Sequence, residues 1–399
     1  MFKNKKILLG ITGSIAATKC IDLVQQLLSK KVQLKIVLTS AAEYFVSMES
    51  LKKALGTEDV YKASDLFNSE DEMLHIELAR FPDVILIAPA SANFIAKLAS
   101  GFADDLLSSI CVASGSEIAI SPAMNQQMWH NLFTQENILK LKNNDVKIIG
   151  PTEGLQACGD YGYGRMLEPV KIVEDLEQLF AYRKLLVGKK ILITAGPTIE
   201  QIDAVRYISN FSSGKMGYAI AQSAQKMGAE VVLISGPTNL TKPAGIKTEN
   251  INSANDMLNK VFEHIAQADI FIACAAVADY TPIVTHQNKI KKQQNNLQLE
   301  LKPTVDIVKE VAKMKDKIFV VGFAAETDDV LGYAQKKLSD KNLDMIVVND
   351  VSDGAVFGRD VNQVSILTKH SQQFTHTSPQ SKKNIADIIL QCIAQEINN

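Results

Sequence analysis

Short apolar runs alternate along this chain with longer stretches of helical spacing. Lys5–Gly10 is one such run; it enters Thr12-Gly-Ser14 and is followed by Ile15–Leu28, where apolar residues recur every three or four positions. The pattern predicts a strand, a glycine turn and a helix, the opening of a doubly wound sheet. Gln33–Leu38, Val84–Ala88, Glu117–Ser121 and Val146–Ile149 repeat the strand pattern, and Lys171–Leu186 reads as a helix. Lys189-Lys-Ile-Leu-Ile-Thr-Ala-Gly196 then restarts the rhythm, with strands expected at Glu230–Ile234, Asp269–Ala273, Ile318–Val321, Met345–Val348 and Gln363–Leu367. A chain of 399 residues exceeds what one core supports. The expected fold is α/β, with two doubly wound, mostly parallel-sheet, Rossmann-like domains over 1–187 and 188–399, the first flavodoxin-like.

Two stretches break the rhythm. Gly154-Leu-Gln-Ala-Cys-Gly-Asp-Tyr-Gly-Tyr-Gly-Arg165 sets glycines around one cysteine, a composition that disfavours helix and strand alike. It reads either as a surface loop with an inert thiol or as a mobile flap that closes over a ligand and presents Cys158 as acid or nucleophile. Gln287–Pro303, with Lys289-Ile-Lys-Lys292 and Gln293-Gln-Asn-Asn296, reads as a projecting hairpin or arm, against a solvated charged loop.

Charge and composition narrow the function. A net charge of -2 provides no basic field for nucleic acid or an anionic membrane. No apolar run is long enough to span a bilayer, and Met-Phe-Lys-Asn-Lys-Lys-Ile leads into a strand without a signal-peptide core, so a cytoplasmic protein is expected. Five scattered cysteines without a CxxC pair argue for a reducing compartment and against disulfides or a zinc site.

A helix starting at Gly13-Ser14 suits a phosphate. No GxGxxG follows, and the second strand ends in Thr39-Ser40, hydroxyls where a dinucleotide enzyme places a ribose-binding acid. That favours a mononucleotide such as FMN. Pro89-Ala-Ser-Ala-Asn93 lies at the carboxyl end of a parallel strand, where open α/β sheets bind ligands. Asp104 and Asp105 read as helix caps or as site acids.

His75-Ile-Glu-Leu-Ala79, Pro89–Asn93, Gly101–Leu107, Pro122-Ala-Met-Asn-Gln-Gln-Met-Trp129 and Ala157-Cys-Gly-Asp160 together resemble the flavin-dependent cysteine decarboxylases. More narrowly, they are similar to the decarboxylase half of the bacterial bifunctional phosphopantothenoylcysteine decarboxylase/phosphopantothenate-cysteine ligases. Thr194-Ala-Gly-Pro-Thr198, Val205-Arg-Tyr-Ile-Ser-Asn210, Ser212-Ser-Gly-Lys-Met-Gly217, Ala275-Ala-Val-Ala-Asp279 and Lys289-Ile-Lys-Lys292 resemble the ligase half. Phe94 stands where relatives usually have threonine, which puts one flavin contact in question, and Phe211 where arginine is common.

The resemblance implies that the first domain converts 4'-phosphopantothenoylcysteine to 4'-phosphopantetheine with FMN. His75 would be the acid/base, Asn125 the amide that holds the substrate carboxylate, and Cys158 the proton donor. FMN is expected at Gly13, Ser14, Ser40, Ser91, Ala92 and Asn93. The second domain is expected to activate 4'-phosphopantothenate with CTP and Mg2+ to an acyl cytidylate, which the amine of cysteine attacks. Asn210 would bind the pantothenate portion and handle the acyl intermediate, and Lys289 would be a mobile cation reaching the reacting phosphates across a dimer interface, with Ala273, Cys274, Ala275, Asp279, Val305, Asp306, Ile307, Val308, Phe323, Lys337 and Lys341 binding substrate and nucleotide. Asp279 is the expected magnesium ligand. Family likeness also implies a homo-oligomer, trimer-based for the decarboxylase and dimeric for the ligase, with a dodecamer as the combined form. A nicotinamide dehydrogenase and a flavin-binding regulatory subunit are the rival readings; the missing fingerprint counts against the first, and intact His75, Asn125 and Cys158 against the second.

Overall fold

Helices cover both faces of two sheets, which is why unbroken apolar runs form the central strands. The computed structural model describes residues 2–68, 73–291, 297–314, 318–326, 330–350, 361–371 and 373–398. Two compact units, Met1–Ala181 and Tyr182–Asn399, each carry their own cores.

In the first unit β1 (Lys6–Ile11), β2 (Gln33–Leu38), β3 (Val60–Lys62), β4 (Val84–Ala90), β5 (Glu117–Pro122) and β6 (Lys147–Ile148) form one parallel sheet in the order 3-2-1-4-5-6. Ile7, Leu9 and Ile11 join one core with Leu23, Leu27 and Phe180, while Leu8 joins another with Leu106, Leu107 and Ile110. The sheet is doubly wound as expected. Its order is that of the dinucleotide fold, so strand order reverses between β1 and β4, where flavodoxin reverses between its first and third strands. Thr12 spans that reversal: its buried hydroxyl donates to Pro89 O and accepts from the Ser91 N–H, both at 2.8 Å.

The second unit repeats the plan. Lys247–Asn250, Glu230–Ser235, Lys190–Ala195, Ile270–Ala273, Phe319–Glu326 and Met345–Asp350 lie side by side and parallel; Val364–Thr368 and then Thr375–His376 extend the sheet antiparallel. Threonine hydroxyls again tie the reversal together. Thr194 Oγ1 accepts the Ala275 N–H at 3.3 Å, and Thr198 Oγ1 accepts the Ala278 N–H at 3.0 Å.

Two stretches differ from the sequence pattern. The helix expected over Lys171–Leu186 is Pro169–Tyr182. Leu186 is drawn instead into the second unit's core, and its N–H donates to Met227 O at 3.0 Å. The glycine-rich stretch is a β-hairpin, β7 (Thr152–Leu155) against β8 (Tyr161–Arg165), although its composition disfavours strands. Gly164 explains this: its φ is +131°, and a Cβ there would lie 2.4 Å from Met124 O, so close approach to another loop selects glycine. In the arm, Leu301–Pro303 pairs antiparallel with Tyr280–Pro282, as a hairpin reading expects; Lys292 and Gln293–Asn296 lie outside the described residues. A helix spans Val330–Asp340. Among the described residues no helix is long and apolar enough to cross a membrane.

Thr12→Val keeps the shape and the backbone bond from residue 12 N–H to Pro89 O, but strands the Ser91 N–H and removes one of the two bonds that Pro89 O accepts. It is expected to cost the first unit about 2 kcal/mol. The single tryptophan, Trp129, lies in that unit, so its fluorescence in urea reads the loss directly.

Candidate active sites

The loop after β5 and the hairpin meet at the carboxyl edge of the first sheet. Met124 N–H donates to Gly164 O at 2.9 Å, and Gln126 N–H to Gln156 Oε1 at 3.0 Å. Asn125 caps the helix Gln126–His130, its Oδ1 accepting the Gln127 N–H at 2.8 Å. That bond orients the amide, whose Nδ2 donates to Cys158 Sγ at 3.2 Å and to Asp160 Oδ2 at 2.9 Å. Two residues from separate motifs thus meet across 33 positions of sequence. Cys158 is exposed, whereas Cys20 and Cys111 are buried and burial pushes both thiols up to about 12. The chemistry open to a thiol falls to Cys158.

His75 does not join this cluster. It sits in the first turn of the helix Leu74–Arg80 and lines a hollow of about 450 Å³ with Leu66, Phe67, Ala103, Ser109 and Val112. Asp105 caps the helix Leu106–Ala113 through a capping box with Ser108, and Asp104 pairs with Lys97 at 2.7 Å, so both acids are structural.

The β1–β4 crevice fits a phosphate-bearing flavin. Ser14 Oγ accepts the Ala16 N–H and Ser91 Oγ the Phe94 N–H, capping two helical starts, and the N–H groups of Gly13, Ser14, Ala92 and Asn93 have no partner among the described residues. A Cβ on Gly13 would lie 2.4 Å from the Ala41 Cβ, so the turn lies close against the segment that carries the exposed Ser40. Ser121 Oγ, buried at the end of β5, also has no partner among the described residues. Phe94 turns into the core at 2% exposure; backbone, Ser91 and Asn93 form the polar face of this turn.

In the second unit Asn210 Nδ2 donates to Val277 O at 3.0 Å, which sets it against the turn running from Ala273, Cys274 and Ala275 to the exposed Asp279. Asp279 O accepts the Thr304 N–H at 2.9 Å, bringing Val305 and Asp306 alongside. Asp306 caps the helix Ile307–Ala312, of which Val308 is part, and pairs with Lys341 at 2.8 Å. Burial works to raise that carboxyl, and the Lys341 hydrogen bond overrides it, holding it below the usual range. Ile307 is buried, and Phe323 and Lys337 are partly buried. The helix Lys215–Lys226 starts at Gly214 with no side-chain cap. A groove of about 820 Å³ nearby is lined by Tyr207, Thr281, Lys302 and Val305, and of the expected nucleotide residues it takes in Val305. Lys289 is exposed and makes no ion pair among the described residues.

Comparison with known proteins follows this division. Residues 1–181 match the Flavoprotein family, and residues 186–397 match the DNA/pantothenate metabolism flavoprotein C-terminal domain. The coenzyme A biosynthesis bifunctional protein CoaBC of Vibrio cholerae is 44% identical over 99% of both chains, and that of Bacillus subtilis 43% identical over 99% of this chain and 98% of its own. The chain belongs to the family of coenzyme A biosynthesis bifunctional proteins. It is an enzyme with decarboxylase and ligase activities, the first half a flavoprotein domain. A solved C-terminal domain of a CoaBC protein is 45% identical, covers 54% of this chain and 98% of its own, and superposes with a TM-score of 0.47.

Several residues escaped the sequence reading. Asp160 and Gln156 bind Asn125 and Gln126 from the hairpin. Buried Asp203 takes Nε and Nη2 of Arg206 at 2.9 and 2.5 Å and the Ile290 N–H at 3.1 Å, while Arg206 Nη2 donates to Ile290 O at 2.9 Å. The pair clamps the base of the arm next to Lys289. Only their place within or beside quoted motifs hinted at these roles.

The Arg206 guanidinium holds the Asp203 carboxyl well below the usual carboxylate range. A depressed carboxyl contributes stability above its unfolded value, about 3.9, and loses it as pH falls through the lowered one. Asp203→Asn is therefore expected to lower the urea midpoint of the second unit at pH 7, with the gap to wild type closing at acid pH. Circular dichroism transitions not shared by Trp129 fluorescence report this; a gap that stays constant down to pH 2 contradicts it.

Proposed function

We propose that the second unit joins cysteine to 4'-phosphopantothenate with CTP through an acyl cytidylate. The first unit then decarboxylates the resulting 4'-phosphopantothenoylcysteine to 4'-phosphopantetheine. The observation that carries this reading is the contact of Asn125 Nδ2 with Cys158 Sγ, an oriented anion-binding amide 3.2 Å from an exposed thiol. Removal of carbon dioxide from a cysteinyl carboxylate needs an electron sink beside the carbon that bears sulfur. FMN, held at Gly13, Ser14, Ser40, Ser91, Ala92 and Asn93, supplies that two-electron sink and source.

The residues of the chain do the rest. Asn125 holds the substrate carboxylate, His75 exchanges the proton at the cysteinyl end, and Cys158 Sγ–H gives a proton to the enethiolate left by decarboxylation. His75 lies away from the other two within the chain, and Phe67 and Val112 at its hollow are 80% and 56% exposed. Both features support a trimer-based assembly in which a second copy covers the hollow and brings an imidazole to the flap.

In the second unit the glycine-rich helix start at Ser212–Gly217, whose N-cap Gly214 has no side chain, receives phosphate. Asn210 holds the pantothenoyl portion, Asp279 takes Mg2+, and Lys289 reaches the reacting phosphates in a dimer. Ala273, Cys274, Ala275, Val305, Asp306, Ile307, Val308, Phe323, Lys337 and Lys341 hold the nucleotide. A carboxylate is a poor acyl donor, so a mixed anhydride with CMP, formed with loss of pyrophosphate, precedes attack by the amine.

Cys158→Ala tests the first half. The variant is expected to release carbon dioxide from 4'-phosphopantothenoylcysteine and to accumulate an oxidised product two hydrogens short of 4'-phosphopantetheine, detected by mass spectrometry. Ordinary yields of 4'-phosphopantetheine from the variant contradict the role of Cys158.

A further inference from the structure

The Asn125 amide is fully committed in this structure. Its Oδ1 accepts the Gln127 N–H, so Nδ2 is the donor end with two hydrogens to give. One reaches Asp160 Oδ2 at 2.9 Å and the other Cys158 Sγ at 3.2 Å. A carboxylate already occupies the donor that a substrate carboxylate is to use. The Asp160 side chain is exposed and takes no other hydrogen bond or ion pair among the described residues, so Asn125 is what holds it. The turn that carries it is closed by Gln156 N–H to Asp160 O at 2.8 Å and Gly159 N–H to Gln156 O at 3.0 Å. That backbone turn does not depend on the carboxylate.

We propose that Asp160 is a specificity-determining residue, an internal carboxylate that takes the Asn125 amide and competes there with the carboxylate of the ligand. The inference rests on the reading above, in which Asn125 receives the substrate carboxylate. Two carboxylates on one amide repel each other, so a ligand carboxylate must displace Asp160. Once carbon dioxide has left, the ligand has no group to keep Asp160 away, and the aspartate returns to the amide. The competition falls on the substrate, which bears the carboxylate, and spares the decarboxylated product.

The test uses the flavin-loaded enzyme, with 4'-phosphopantothenoylcysteine as substrate and 4'-phosphopantetheine as the inhibitor that lacks a carboxylate. Asp160→Ala is expected to lower KM for the substrate about three- to fivefold, the worth of one exposed charge-assisted bond, and to leave the inhibition constant of the product within about twofold. Asp160→Asn keeps the shape and the accepting oxygen without the charge, and its KM is expected to fall between wild type and Asp160→Ala. A KM that is unchanged or raised in both variants overturns the proposal, as does an equal shift of both constants, the result of a merely structural role. Bound-flavin absorbance identifies a variant that fails to fold, and Asp160→Asn then decides alone. Wild-type enzyme that releases no carbon dioxide refutes the parent reading; wild-type turnover with an unmoved ratio of the two constants refutes this inference only.

Discussion

A hydroxyl that bridges the first and fourth strands is the contact on which each site depends. A parallel sheet wound in both directions from its first strand leaves a gap where the order reverses, and ligand-binding loops need that gap held at fixed width. Thr12 does so in the first unit by bonding Pro89 O and the Ser91 N–H, and Thr194 and Thr198 do so in the second by accepting from Ala275 and Ala278. The turns that carry the N–H groups of Gly13, Ser14, Ala92 and Asn93 are the two that this bridge joins. The same holds for Asn210, whose amide bonds Val277 O within the bridged turn.

On this frame the chemistry sits on loops pinned from two sides. The first-unit hairpin is long-range in every useful bond: Met124 to Gly164, Gln126 to Gln156, and Asn125 to Cys158 and Asp160. The arm of the second unit is pinned the same way, by Asp203 and Arg206 to Ile290. In both cases one buried or oriented polar group decides where a thiol or a cation is presented.

The architecture was legible in the sequence because strands with both faces covered read as apolar runs, and each expected strand of the second sheet is present within a few residues. The hairpin was not legible: its glycines argue against strands locally, and the close approach to Met124 that selects Gly164 is tertiary. Asp160 and Asp203 act through partners 35 and 87 positions away, which no local pattern encodes. The motif that singles out His75 says nothing of distance, and within one chain its side chain lines a hollow apart from Asn125 and Cys158. Phe94 read as a lost polar contact; its ring lies in the core, so the substitution changes packing beneath the turn.

We propose that two successive reactions run at the two crevices of one chain. Purified protein incubated with 4'-phosphopantothenate, cysteine, CTP and magnesium, with carbon dioxide, pyrophosphate and CMP followed together, tests it most directly. Release of all three is expected, with the oxidised flavin spectrum regained at the end. Pyrophosphate and CMP without carbon dioxide would contradict the assignment of His75, Asn125 and Cys158; release of none of the three would contradict both halves.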